Sequence, residues 1–456
     1  MGAPPRDTDQ PVPRIYRGPT PEVAAAAYRA DAAQAQAAGY LPVSHRWDRD
    51  DAGHVLSVVY QLRLQNAPLT DGQGPGSPAG QQPEKTPAKP EAEASNARRR
   101  HERLIAQVLD MHCAGEPLRI IRTGYPDVPR LPVLERRRWV SEHADHVRRA
   151  VVNEPRGHRD MYGAVILPPY RPDVDACLLF MHNAGYSTMC GHGVIAVTTA
   201  LIEEGLYPAG VPETTIRYEV PAGVVSATAI VRNGPDGHGH LVDQVRFTNV
   251  PSYLAQRSIA LRPDGVELHG GAAEIGALPV DMAFGGAYYG IVDAAHLGLR
   301  VVPGQASALR RAGAAITELL RRDHQPSHPT DEDLAFVYGT IIVDLEPGTS
   351  PDGLAREAHV RNATIFADAE LDRSPCGSGT SALLAQLYGR GLIGAGQELV
   401  NAGITGEHFV GRVEGETTLG QERAVETSIA GRAFLTGYGT LVMDERDPLA
   451  EGFLLG

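Results

Sequence analysis

The sequence predicts an α+β fold. Three observations carry this. Strand-like apolar runs outnumber helical ones. The helices do not alternate with them as a parallel βαβ array requires. One glycine-rich cysteine motif occurs twice, each time leading into a helical segment. With 456 residues and 42% hydrophobic content, the chain suits two or three domains with real cores.

From the N-terminus, residues 1–18 are polar and proline-rich, a composition expected to be disordered. Thr20-Pro21-Glu22 then opens a helix: threonine caps, proline takes the first turn and glutamate complements the dipole. The alanine-rich run continues to Ala38, and Gly39 ends it. Residues 40–43 and 55–60 read as two short strands around a polar turn. Residues 1–65 are therefore expected to be a small helix-plus-hairpin module with a disordered start. It is either an extension without activity or a specific binding module. Residues 66–97 hold almost no large apolar side chains and cannot offset their ordering entropy, which predicts a flexible linker.

The main domain is expected over 98–456. Strand-like runs fall at 118–123, 163–167, 176–180, 215–220, 224–231, 244–249, 280–284, 339–343 and 440–443, separated by glycine and proline turns. Helical patterns fall at 131–150, 194–204, 306–322 and 380–390. A first half of about 98–225 plus the C-terminal tail, and a second of about 226–430, would each contribute one cysteine motif.

Composition excludes several function classes. A net charge of −13 with no basic block does not suit a nucleic-acid or membrane-surface binder. The opening residues have no apolar core of a signal peptide, and no stretch approaches the length of a spanning helix. A soluble, cytoplasmic protein is expected. Of 42 basic residues only Lys85 and Lys89 are lysines, both in the predicted linker. That leaves no core lysine for a pyridoxal Schiff base and none after a P-loop glycine run. Four cysteines without a CxxC spacing argue against a disulfide scaffold and a structural zinc site. His238-Gly239-His240 could suggest a metal, but it follows Asn233-Gly234-Pro235-Asp236-Gly237 and reads as an exposed hairpin tip.

The repeated motif carries the chemistry. Cys190-Gly191-His192-Gly193-Val194-Ile195-Ala196 and Cys376-Gly377-Ser378-Gly379-Thr380-Ser381-Ala382 both read C-G-x-G-x-x-A. Glycines let a ligand approach the backbone, and the following helix aims its free N–H groups at it, which suits a carboxylate or phosphate. A thiol at such a position is expected to have its pKa pulled below the reference of about 8.5. The G-x-G-x-x-A run also matches a dinucleotide fingerprint, but no hydrophobic strand immediately precedes either copy. Cys113 lacks such a context, and Cys177 lies in an apolar run and reads as core.

Two thiols and one anion cradle suit inversion of a carbon next to a carboxylate. One thiolate removes the Cα proton from one face and the other thiol protonates the opposite face, while N–H dipoles hold the carboxylate. Asp372 and His192 lie beside the cysteines and could accept from the ammonium.

These residues resemble the proline racemase superfamily. Met189-Cys190-Gly191-His192-Gly193 and Asp372-Arg373-Ser374-Pro375-Cys376-Gly377-Ser378-Gly379-Thr380-Ser381 look like its paired signature. His112-Cys113-Ala114-Gly115-Glu116-Pro117, Gly285-Gly286-Ala287-Tyr288-Tyr289, Gly431-Arg432-Ala433-Phe434 and the tail from Asp447-Pro448 to Gly452-Phe453 agree. The resemblance covers about 100–456. It implies the fold shared with diaminopimelate epimerase: two pseudo-symmetric halves, each a curled sheet around a central helix, with the site in the cleft. It also implies Cys190 and Cys376 as the catalytic pair, no cofactor and no metal. Gly191, His192, Gly377 and Ser378 would contact the carboxylate, and His192 with Asp372 the amine. In the family's racemases and 4-hydroxyproline epimerases both motifs carry Cys. In its trans-3-hydroxyproline dehydratases the second is usually Thr, so Cys376 favours inversion. Bacterial members with glycine at the position of Gly193 often act on hydroxyproline. Diaminopimelate epimerase resembles this chain less, because it carries Asn where His192 stands and lacks the D-R-S-P approach. The expected substrate is proline or 4-hydroxyproline, with no nucleic-acid or membrane partner and with a homodimer open. Dehydration of trans-3-hydroxyproline, or binding of an imino acid without catalysis, are the alternatives.

Overall fold

The computed structural model describes residues 12–18, 40–50, 53–62, 103–235, 239–262, 277–345 and 357–455. It divides into two compact units, Met1–His101 and Glu102–Gly456. In the first unit, Val12–Gly18, Tyr40–Asp50 and Gly53–Leu62 form an antiparallel sheet with Gly53–Leu62 in the centre. The expected hairpin is present. The start is not wholly disordered, because Val12–Gly18 pairs along the hairpin: its Val, Ile and Tyr suit a strand despite Pro13. The expected helix after Thr20 and the linker at 66–97 lie outside the described residues.

The second unit holds five α-helices among its described residues: α1 (Val133–His143), α2 (Asp145–Val152), α3 (Gly191–Glu203), α4 (Ala306–Asp323) and α5 (Gly377–Gly389). The single helix expected over 131–150 is broken at Ala144 (φ −122°, ψ 8°), after which Asp145 restarts the helix and pairs with Arg148 and Arg149.

Strand pairing reveals the internal repeat. In the first half Ala433–Asp444 pairs with Arg103–Cys113, which pairs with Glu116–Thr123. Glu116–Thr123 then runs parallel to Tyr162–Leu167, with α1 and α2 in the crossover. Ala176–His182 follows, parallel to Glu213–Val220 across a crossover that contains α3. Gly223–Asn233 and His240–Thr248 complete the sheet. The second half repeats the order. Tyr253–Leu261 pairs with Leu278–Phe284 and then Tyr288–Asp293, which is parallel to Val337–Leu345 across α4. Glu357–Phe366 is parallel to Glu398–Ala402 across α5, and His408–Leu419 and Glu422–Gly431 finish it.

The halves join where Val245–Thr248 pairs with 428–431. The chain passes from one half to the other at 249–252, not near 226: the strands at 223–233 and 240–248 extend the first sheet, and both edges of that hairpin are used.

Helices α3 and α5 lie at the centres of the two curled sheets. Every residue from Gly191 to Ile202 is buried, as is nearly every one from Gly377 to Leu387. A helix apolar all round has no solvent face and needs a sheet wrapped about it. By contrast α4 buries Leu309, Ala312, Ile316, Leu319 and Leu320 at helical spacing and covers one face of the second sheet. The hairpin joining Gly223–Asn233 to His240–Thr248 places Gly239 and His240 at its end; His238 lies outside the described residues. No group of metal-ligating side chains occurs among the described residues.

Candidate active site

The two cysteine motifs cap the two central helices, and the helices meet end to end. A Cβ added to Gly191 would stand 2.5 Å from Gly377 Cα, and one on Gly377 would stand 2.5 Å from Gly191 Cα. Only two glycines let the N-termini come this close. The second glycine of each motif serves the thiol. A Cβ on Gly193 would fall 2.8 Å from Cys190 Sγ and 2.5 Å from Phe180, and one on Gly379 would fall 3.1 Å from Cys376 Sγ. In the space so left, Cys190 Sγ accepts the Gly193 N–H at 3.3 Å and Cys376 Sγ accepts the Gly379 N–H at 3.4 Å. Each cysteine is the N-cap of its helix.

The N–H groups of Val194 and Thr380 return to the carbonyls of Cys190 and Cys376. By helix geometry, the N–H groups of Gly191, His192, Gly377 and Ser378 are then left as donors without an intrahelical acceptor. Two helix dipoles point their positive ends at one place. Such an arrangement can hold a single carboxylate between two thiols.

Cys376 sits at φ +61°, a left-handed conformation that a non-glycine residue adopts only when its surroundings hold it there. The restraint is visible. Asp372 Oδ1 accepts from the Ser374 N–H at 2.8 Å and hydroxyl at 2.7 Å, and Ser374 Oγ accepts the Cys376 N–H at 3.1 Å. Asn362 donates to the Pro375 carbonyl at 2.9 Å. The D-R-S-P approach therefore presents the thiol at a fixed angle.

All the expected residues are gathered here and are buried: Cys190, Cys376, Gly191, His192, Asp372, Gly377 and Ser378. His192 Nδ1 is 3.3 Å from Cys190 Sγ, its ring bonds the Pro117 carbonyl, and burial lowers its pKa to about 3. The ring is neutral and can accept from a cation. Burial raises Asp372 to about 6, against the pull of the Ser374 hydroxyl and N–H.

The expected depression of the thiol pKa values is overturned. Burial pushes Cys190 well above the usual range, with the Gly193 N–H pulling the other way and Asp372 adding to the rise. Burial and the neighbouring Asp372 carry Cys376 up to about 12, against the Gly379 N–H. The helix ends favour thiolate, but loss of water outweighs them, so burial favours the protonated thiol at both positions.

Sequence reasoning missed an aromatic wall and a buried carboxyl. Tyr162 and Tyr338, from opposite halves, share a hydrogen bond of 2.9 Å. Tyr162 also packs edge-on against His192 with centroids 4.9 Å apart. Tyr289 bonds Ser378 Oγ at 2.7 Å and reaches Cys376 Sγ at 3.9 Å. Glu116, fully buried, accepts the Arg373 N–H at 2.7 Å, while its second oxygen has no partner. Glu116 and Tyr289 lie within stretches already singled out in the sequence. Nothing local marks Tyr162 or Tyr338. Cys177 is core as expected. Cys113 is also buried, and burial raises its pKa, with the charges of nearby Asp372 and Glu116 adding to the rise.

Comparison with known proteins agrees with this geometry. Residues 108–454 match the proline racemase family. The 3-hydroxyproline 2-epimerase of Burkholderia multivorans is 40% identical over 347 residues, covering 76% of this chain and 97% of that protein. The human trans-3-hydroxy-L-proline dehydratase is 39% identical over 355 residues, covering 77% and 95%. The crystal structure of a hydroxyproline epimerase from Agrobacterium vitis, with bound trans-4-hydroxy-L-proline, superposes with a TM-score of 0.69 at 31% identity. It covers 77% of this chain and 96% of its own.

Proposed function

This chain belongs to the proline racemase family, and we propose that it inverts Cα of proline or a hydroxyproline by a two-thiol mechanism without a cofactor. One observation carries the reading: two cysteines cap two helices whose N-termini touch through Gly191 and Gly377. The substrate carboxylate sits on the N–H groups of Gly191, His192, Gly377 and Ser378, and its ammonium faces Asp372 and the neutral His192. One thiolate takes the Cα proton and the opposite thiol returns one. The carboxylate then carries the developing charge against fixed dipoles.

The raised thiol pKa values fit this scheme once substrate enters. An ammonium beside Asp372 then cancels the anionic field that disfavours thiolate at Cys376.

A second reading has its own support, because relatives at 39–40% identity are named trans-3-hydroxy-L-proline dehydratases. Dehydration needs the same Cα proton removed but no donor on the far face, since the 3-hydroxyl leaves instead. Cys376 supplies such a donor, which favours inversion. Optical rotation measured with L-proline, trans-4-hydroxy-L-proline and trans-3-hydroxy-L-proline, with no added cofactor, tests both. Inversion with retention of the ring hydroxyl is expected. Release of pyrroline-2-carboxylate as the main product would replace inversion with dehydration.

A cytoplasmic homodimer is part of the same reading. The four buried free cysteines suit a reducing compartment. The exposed Phe434, Tyr438 and Val442, with Ile105 paired to Val442, offer an apolar strip to a second copy.

A further inference from the structure

The aromatic wall of the cleft contains polar groups that inversion of Cα does not use. His182, on the first half, places Nδ1 3.3 Å from Glu370 Oε1 on the second half, and its orientation is set by the Ala184 N–H at 3.2 Å. Both side chains are at least nine-tenths buried. The other carboxyl oxygen, Glu370 Oε2, has no hydrogen-bond partner. A buried acceptor left unpaired is costly, and a native structure keeps one where something else completes it.

Several contacts place this pair at the substrate. The His182 ring lies 5.5 Å from Tyr162 and 6.2 Å from Tyr338, whose hydroxyls bond each other at 2.9 Å. Tyr162 touches His192, and Tyr338 is close enough to Glu370, Cys190 and Cys376 to interact with all three. Glu370 stands two residues before Asp372, at the end of the short strand that leads into the Cys376 motif. With carboxylate and ammonium held at the helix ends, the ring carbons of an imino acid must face this wall. An unsubstituted ring would need only the aromatic faces. A ring hydroxyl both donates and accepts, and this wall holds a free acceptor and a tyrosine hydroxyl pair.

We propose that Glu370, packed beside His182, and the Tyr162–Tyr338 hydroxyl pair form a subsite that recognises the ring hydroxyl of a hydroxylated proline. It rests on the imino-acid reading above and narrows it. The hydroxyl donates to Glu370 Oε2 and accepts from a tyrosine hydroxyl.

Calorimetric binding of L-proline, trans-3-hydroxy-L-proline and trans-4-hydroxy-L-proline tests this on the full chain and on Glu370→Gln and Tyr338→Phe. The wild type is expected to bind one hydroxyproline more tightly than proline. Each substitution should shrink that preference, by roughly 10–100-fold for Glu370→Gln as a charged acceptor is lost. Equal weakening for proline and hydroxyproline would mark the residues as merely structural and overturn the assignment. So would an unchanged ratio in both variants, or a wild type with no preference. Binding is read apart from turnover, so a preference that collapses without any Cα inversion would refute the proposed reaction and leave the subsite standing.

Discussion

Replacing Gly377 by alanine tests the geometry most sharply, because local and tertiary effects have opposite signs. In the first turn of a helix, Gly→Ala ordinarily stabilises, by up to about 1 kcal/mol. Here the new methyl would stand 2.5 Å from Gly191 Cα and 3.1 Å from the Phe247 ring. Carbon atoms rest at about 3.5–4.0 Å, so the helix ends must part by roughly 1 Å. Overpacking of that kind costs about 1–3 kcal/mol. The larger effect falls on catalysis, since a displacement of about 1 Å in positioning groups costs on the order of 100-fold in rate. Gly377→Ala should therefore lower kcat/KM for inversion by about 100-fold or more while Tm drops only a few degrees. Polarimetry and a thermal melt on the same sample measure both. A variant with wild-type kcat/KM, or one more stable than wild type, would show that the helix ends do not form a close-packed cradle.

Cys190→Ser and Cys376→Ser should each abolish inversion, whereas Cys113→Ser and Cys177→Ala should cost stability at most; polarimetry separates the two groups. Asp372 must be ionised to hold an ammonium, and burial raises its pKa to about 6. kcat/KM should accordingly rise with pH through an inflection near 6, and Asp372→Asn should be slower and lack that limb. The same raised pKa means the folded state holds the proton more tightly than the unfolded chain, so stability from this group falls as pH rises from about 4 to about 6. Asp372→Asn should flatten that slope in a melt. A chain beginning at Glu102 should fold and keep its kcat; loss of activity in a folded truncation would give the N-terminal unit a catalytic or gating role.

The sequence revealed the cradle because its reasons are local. Cys190 and Cys376 must cap helices, the first glycines must let the helices touch and the second must leave room for sulfur, so all three positions are fixed within four residues. Strands such as His408–Leu419 were harder to see. Their outward positions carry Arg412, Glu414 and Glu416, charged residues that strands disfavour, and pairing with Glu422–Gly431 overrides that preference. The passage between halves at 249–252 follows from which strands pair: Asn249 and Pro251 mark a break, but nothing local distinguishes it from the other breaks between strands. The thiol pKa values were misjudged because a helix terminus can be read from the chain but burial cannot. Tyr162 and Tyr338 stand 176 residues apart, and only the closed cleft makes them neighbours.

The two-thiol mechanism is tested most directly by turnover in deuterium oxide, with Cα followed by NMR or mass spectrometry at early times. Each thiol serves one face. The thiol that protonates the product therefore carries a solvent-derived hydrogen, while the abstracted proton stays with the thiol on the substrate's side. Inverted product should hold deuterium at Cα, and recovered substrate should hold almost none. Inverted product that keeps its original Cα hydrogen would contradict the roles of Cys190 and Cys376.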